Sequence, residues 1–232
     1  MKKARLIALV LAANISCALA DGMQPETPLL LVDEKEGEAS INVTNTDDKP
    51  ALLYVKTEHI DEDKNNGIKL LPTQPVVRVE PGKVQKVRFI LQTSKPLTHE
   101  HMMRAKFSGI PSTSPEDKKT GQVKVNIIFT QDIPVIISPK GQPENKEAWK
   151  LLTAKQQGTA LQITNPSTYI VRLAPEITLG EGKKVVIQKT YILPGETLTA
   201  SLDNASNVSQ ATIQPLSRYG YKVAPFVTTV MH

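Results

Sequence analysis

The chain has 232 residues, 28 Lys and Arg against 23 Asp and Glu, one Cys, one Trp, 40% hydrophobic and 4% aromatic residues. That length suits one large domain or two of about 100–120 residues each, with enough apolar material to exclude wholesale disorder and too little for a polytopic membrane protein. A single cysteine excludes an internal disulfide and a cysteine-based zinc finger.

Residues 1–20 read as a secretory signal rather than as part of the fold. Lys2, Lys3 and Arg5 give a positive start, Leu6 to Ala13 a short apolar run, and Ala18-Leu19-Ala20 a small-x-small site that predicts cleavage after Ala20. The apolar run is too short to span a bilayer, so the mature chain is not membrane-spanning. Cys17 raises the question of a lipid anchor, but Asn14 stands where a lipidation box wants a Leu-like residue, and the Ala-x-Ala site fits better. Cleavage removes three of the 28 basic residues and leaves 25 against 23, which takes away the main support for nucleic-acid binding. It also removes the cysteine, so an exported product relies on its hydrophobic core alone.

Period-two alternation dominates the mature chain. Ser40 to Thr44 alternates and runs into a turn, Asn45 to Pro50; Leu52 to Ile60 is a second strand, followed by a solvated acidic loop from Asp61 to Gly67. Val77 to Val79 precedes the turn Glu80-Pro81-Gly82, and Val84 to Leu91 places Val87, Phe89 and Leu91 on one face. Met102 to Phe107 follows, then a polar loop from Ser112 to Gly121. From Gln122 to Ile137, Val123, Val125, Ile127 and Phe129 point one way while Gln122, Lys124, Asn126 and, less cleanly, Ile128 point the other. Ser138-Pro139-Lys140-Gly141 reads as a linker. Beyond it, strands are predicted at Trp149 to Thr153, Thr159 to Thr164, Tyr169 to Leu179, Lys184 to Gln188, Thr197 to Leu202, Ala211 to Gln214 and Lys222 to Val230. Roughly seven short strands on each side of a linker predict an all-β fold of two immunoglobulin-like sandwiches, residues 21–138 and 139–232.

The motifs of common enzymes are missing: no Gly-x-Ser-x-Gly elbow, no His-Glu-x-x-His and no phosphate-cradling glycine loop, and Gly180-Glu181-Gly182-Lys183 reads as a hairpin turn. His99 and His101 share one strand face, yet no third metal ligand accompanies them, and Asp61, Glu62 and Asp63 lack the spacing of a calcium loop. The reading is therefore a non-enzyme without metal or cofactor. The strand from Gln122 has two readings. Its apolar face fills the core of its own sandwich, the commoner fate of such a pattern, or it is an edge strand whose side chains are offered to another protein.

The order and spacing of several fragments carry a resemblance over nearly the whole mature chain. They are Leu71-Pro72-Thr73-Gln74-Pro75, Arg78-Val79-Glu80-Pro81-Gly82, Val87-Arg88-Phe89, Gly109-Ile110-Pro111, the long alternating strand, Ser138-Pro139, Leu161 to Tyr169, Leu193-Pro194-Gly195 and Arg218-Tyr219-Gly220. The sequence resembles the periplasmic chaperones of pilus and fimbrial assembly, the PapD-like family. The resemblance implies two immunoglobulin-like domains in an L-shaped arrangement and a function in donor-strand complementation, in which a G1 strand completes a pilin subunit that lacks its last strand. Carried over by position, Val123, Val125, Ile127 and Phe129 enter the subunit, and an outer-membrane usher docks near Pro72 and Pro75. The family usually places an Arg and a Lys in the cleft between domains to hold the subunit's terminal carboxylate. Here those positions are Pro28 and Pro134, which carry neither charge nor N–H, and this departure suggests a divergent branch. The 112–121 loop is of the short type. The competing expectation is a secreted structural or adhesive component of a fibre, and the sequence leaves open whether free molecules pair through their exposed edges.

Overall fold

The computed structural model describes residues 22–64, 67–111, 127–202 and 207–232. The signal segment with its Ala20 site, the loop 112–121, Val123 and Val125 lie outside the described residues. Nine of the described strands build the first domain: β1 (Met23–Pro25), β2 (Leu30–Asp33), β3 (Glu38–Asn45), β4 (Ala51–His59), β5 (Ile68–Pro72), β6 (Val76–Val79), β7 (Val84–Thr93), β8 (His101–Pro111) and β9 (Thr130–Ser138). They form two facing sheets, β1-β3-β7-β5 and β2-β9-β8-β4-β6. Alternate residues of both sheets turn inward: Ile41 and Val43, Val87, Phe89 and Leu91 from one, and Leu53, Val55, Met103, Ala105, Phe107, Val135 and Ile137 from the other. Phe89 and Phe107 meet edge to face at 6.3 Å in the middle.

The second domain is built from β10 (Thr153–Gln157), β11 (Ala160–Thr164), β12 (Val171–Leu179), β13 (Lys184–Val186), β14 (Tyr191–Ile192), β15 (Thr197–Ser201), β16 (Gln210–Leu216) and β17 (Phe226–Met231). β17 pairs antiparallel with β16 over Phe226–Thr229 and then parallel with β10 at Val230 and Met231, so one strand serves both halves of the sandwich. The first strand of the chain does the same in the first domain, where β1 pairs with β3 and, after a crossover, β2 pairs with β9.

Both domains use one buried asparagine to lock a Pro-Gly turn. Asn45 donates its side-chain amide to the carbonyls of Lys49 and Val79, and its own carbonyl accepts the Gly82 N–H. Asn165 repeats this, donating to Tyr169, Ile192 and Leu193 while its carbonyl takes the Gly195 N–H. The fragments Thr44-Asn45-Thr46 and Thr164-Asn165-Pro166 are thus the same device in two copies.

Several local expectations are corrected. Residues 148–151 form a 3-10 turn where a strand was expected, and β10 starts at Thr153. A strand would put Ala148, Lys150 and Leu152 on one face, yet Lys150 is exposed between two buried residues. β17 begins at Phe226 rather than Lys222, after Pro225, which has no N–H to give a ladder. The acidic loop is not wholly solvated. Asp63 is nearly buried and takes the His101 Nδ1 at 2.9 Å and the Met102 N–H at 2.7 Å. His99 and His101 do share a face, with ring centroids 4.4 Å apart. Among the described residues, however, no three candidate ligands gather around a metal position.

A single carboxylate bolts the domains together. Glu100, 3% exposed, receives the Arg218 guanidinium at 2.5 Å, the Ser138 hydroxyl at 3.2 Å and the Ile170 N–H at 2.8 Å. Around it Leu29, Met102 and Ile136 of the first domain pack on Ile170 and Leu193 of the second. Lys189 adds an ion pair to Glu62 across the boundary. Removing the carboxylate leaves the Arg218 guanidinium uncompensated and the Ile170 N–H without its acceptor. Glu100→Ala is therefore expected to split one calorimetric melting transition into two and to speed proteolysis of the 139–147 linker. An unchanged single transition would contradict this account.

Candidate functional site

β9 is a core strand for only part of its length. It pairs with β8 from His101↔Ile137 to Ser108↔Thr130, and the ladder reaches one step further through the Gly109 N–H to the Phe129 carbonyl at 3.3 Å. Gly109 packs closely there, since a Cβ at this position would come within 3.3 Å of the Met23 side chain of β1. On the other side β2 pairs only with Val135 to Ser138. Among the described residues, Thr130 to Pro134 have no strand on that edge.

The inward alternation of Ile133, Val135 and Ile137 continues backward along the chain to Phe129 and Ile127, but the domain's own core does not reach that far. Ile127 is 64% and Phe129 55% exposed, with Ile128 also exposed beside them. They overhang an open cavity of about 240 Å³ lined by Gly22, residues 47–51, Gly109 and Pro111. The apolar face of this segment is not sealed within its own domain, which removes the core-strand reading for Ile127 and Phe129. Val123 and Val125 lie outside the described residues.

The edge ends in the cleft. Pro134 is buried in β9 directly opposite Arg104 of β8. Pro28 lies in the crossover between β1 and β2, exposed, where a proline is tolerated because no ladder bond is required. Arg104 donates Nε to the Asp132 carboxylate and a terminal N–H to the Asp132 carbonyl, both at 2.8 Å. Across the domain boundary Arg172 of β12 donates to the Arg218 carbonyl at 2.7 Å and lies against Gly220, whose missing side chain (φ +88°) leaves it room. Burial, with the charge of Arg104 added, holds the Arg172 guanidinium below its ordinary pKa. Burial, then the charge of Glu62, raises the Tyr191 phenol. At Lys189, burial is outweighed by Glu196 and Glu62, which raise the ammonium. On the same sheet face as Arg104, Glu58 is drawn down to about 2 by hydrogen bonds from Lys106 and Lys56.

Pro72 ends β5 and is half-buried; Pro75 is exposed and its carbonyl takes the Val55 N–H at 2.8 Å. Together they carry the chain from one sheet to the other. Beside them lies an exposed apolar patch on the outer face of β4, β6 and β8, where Leu52 stands opposite Ile110 and Tyr54 opposite Val76. The signal for this patch was present in Leu52-Leu53-Tyr54-Val55, apolar in both phases and hence covered, or meant to be covered, on both faces. The Glu100–Arg218 ion pair had no local sequence signal, since it joins residues from separate domains.

The family profile for "Pili and flagellar-assembly chaperone, PapD N-terminal domain" matches residues 22–143, and that for "Pili assembly chaperone PapD, C-terminal domain" matches 147–226. The Escherichia coli K12 protein named "Uncharacterized fimbrial chaperone YhcA" is 49% identical over 211 residues, covering 90% of this chain and 91% of its own. In fold, the chain is similar to one in the Salmonella enterica complex of SafA pilin with the SafB chaperone, at TM-score 0.72 and 16% identity, covering 91% and 97% of the two chains. It is also similar to the E. coli chaperone DraB, at TM-score 0.70 and 17% identity, covering 90% and 98%. The chain belongs to the PapD family of pilus-assembly chaperones.

Proposed function

We propose that the protein is exported to the periplasm, its signal cleaved after Ala20, and there shields fimbrial subunits by lending them the segment that leads into β9. A subunit strand pairs with the uncovered edge of Thr130 to Ile133, and Val123, Val125, Ile127 and Phe129 fill the subunit's open groove. The observation that carries this reading is the exposure of Ile127 and Phe129 beside an edge that has no partner strand among the described residues. Complete burial of four large apolar side chains contributes about 6–12 kcal/mol as an upper limit. Association entropy takes back a good part of it, so the backbone ladder is needed as well.

The competing reading, a fibre component, needs a free segment to insert into the next molecule. Met23 to Pro25 already pair with β3 of their own domain, which speaks against such a segment. Delivery to an outer-membrane usher completes the proposal. Pro72 and Pro75 frame the docking surface, and Leu52, Tyr54, Val76 and Ile110 give it an apolar centre.

Ile127→Asp is expected to melt within about 2 °C of the wild type, as an exposed substitution should, yet to recover no subunit from the periplasm in co-purification. Unfolding by circular dichroism would return the strand to the domain's own core. Leu52→Glu with Val76→Glu is expected to leave the subunit complex intact and to reduce surface fibres severalfold by electron microscopy. Loss of the subunit complex in that variant would separate the patch from usher docking.

A further inference from the structure

One short turn gathers much of what holds the two domains together. It runs from Leu97 to His101, between β7 and β8. Glu34 takes the Leu97 N–H with one carboxylate oxygen and the Lys140 N–H of the linker with the other, at 3.0 and 2.9 Å. Glu100 donates its N–H to the Thr168 carbonyl of the second domain and gives its carboxylate to Arg218, Ser138 and Ile170. On either side of Glu100 in sequence stand two imidazoles, His99 and His101, tilted by 35° with ring centroids 4.4 Å apart.

The charges around this pair suit one added proton better than two. Asp63, from the 3-10 turn Asp61–Asp63, lies against the His101 Nδ1 with both carboxylate oxygens, at 2.9 and 3.1 Å, and also takes the Met102 N–H. The Thr98 hydroxyl lies 3.1 Å from the His99 Nδ1. The other acids nearby are engaged elsewhere: Glu100 with Arg218, Glu62 with Lys189, Asp61 with Lys64, and Glu34 with its two backbone N–H groups. His59, the remaining titratable group at this end of the sheet, is exposed at the end of β4 opposite Met103. Asp63 therefore offsets one imidazolium, while a second charge on half-buried His99 pairs with no acid among the described residues. Two sites this close take up their protons as a coupled pair. Burial and the charge of His101 hold the His99 imidazole below its ordinary pKa, and Asp63 offsets them only in part.

We propose that His99 and His101 form an acid-sensitive latch on the domain junction, in which the second proton displaces the turn carrying Glu100 and loosens the first domain's hold on the second. An opened turn returns His99 to its ordinary value of 6.5, whereas the closed turn keeps the ring neutral to lower pH. The closed junction is thus fully favoured above that value and loses ground as the pH falls below it. Glu62 is drawn below its ordinary pKa by the Lys189 hydrogen bond, so that second tie across the boundary holds through the same range. The latch does not depend on strand donation. It acts on the angle between the domains, and so on the cleft in which the open edge of β9 ends.

The test follows proteolysis of the 139–147 linker in the full mature protein at about pH 7.5 and about pH 5.5, on either side of the histidine range, with the protease calibrated on an unfolded peptide at both. Wild-type cleavage is expected to speed up severalfold at the lower pH. His99→Phe keeps a ring against His101 but takes no proton, and is expected to give one rate at both. His99→Gln repeats the test without the larger ring, and thermal melts check that each variant folds. Proton NMR reads the His99 ring directly: its midpoint is expected below 6.5 in the wild type and to rise in His101→Gln, where the neighbouring charge is gone. The wild-type midpoint does not depend on any variant folding. Acceleration that survives in both His99 variants would overturn the latch and assign the effect to the junction carboxylates. A wild-type rate indifferent to pH, or a His99 midpoint at or above the ordinary value, would overturn it outright.

Discussion

Everything distinctive about this molecule follows from a half-covered strand. β9 is held by β8 along its whole described length but by β2 only from Val135 to Ser138. An open strand edge beside apolar side chains is a template for pairing, and soluble proteins normally blunt it. Here it is limited rather than removed. Pro134 closes it at one end, and toward the other the domain's own core stops short of Phe129 and Ile127. Among the described residues the edge is thus a defined length of backbone without a partner strand, its apolar face aligned to the interior of a sandwich.

The remainder of the fold keeps that edge in place. The Phe89–Phe107 contact and the buried residues around it fix β8, and β8 fixes the register of β9. At the far end of the same two strands, Glu100 and Ser138 anchor the second domain through Arg218 and Ile170. One pair of strands therefore carries the exposed edge at one end and the domain junction at the other. This gives a physical reason for a second domain that contributes nothing to the edge itself: it supplies the opposite wall of the cleft in which the edge terminates.

Much of this was legible in the sequence, and the limits were physical. Alternation located most strands because sandwiches expose one face and bury the other. It failed at residues 148–151, where apolar spacing follows a turn, and at Lys222 to Pro225, where one isolated bridge from Lys222 to Leu216 precedes the strand without continuing into it. The Pro-Gly turns were visible, but not that Asn45 and Asn165 hold them, since a buried asparagine has the same letter as one in a solvated turn. Ile127 and Phe129 were found by alternation, yet whether they faced the core or a partner depended on how far β2 extends, which is a fact of tertiary structure. Glu100 and Arg218 could not be paired from sequence at all, as 118 positions and a domain boundary separate them.

The most direct measurement of the central claim is amide hydrogen exchange from Gln122 to Ile133 in the free chaperone and in its complex with a subunit. Strand donation predicts that exchange on the open-edge amides slows by orders of magnitude in the complex, while β8 and the second domain's sheets change little. Equal exchange in the two states, with protection arising elsewhere on the molecule, would contradict it.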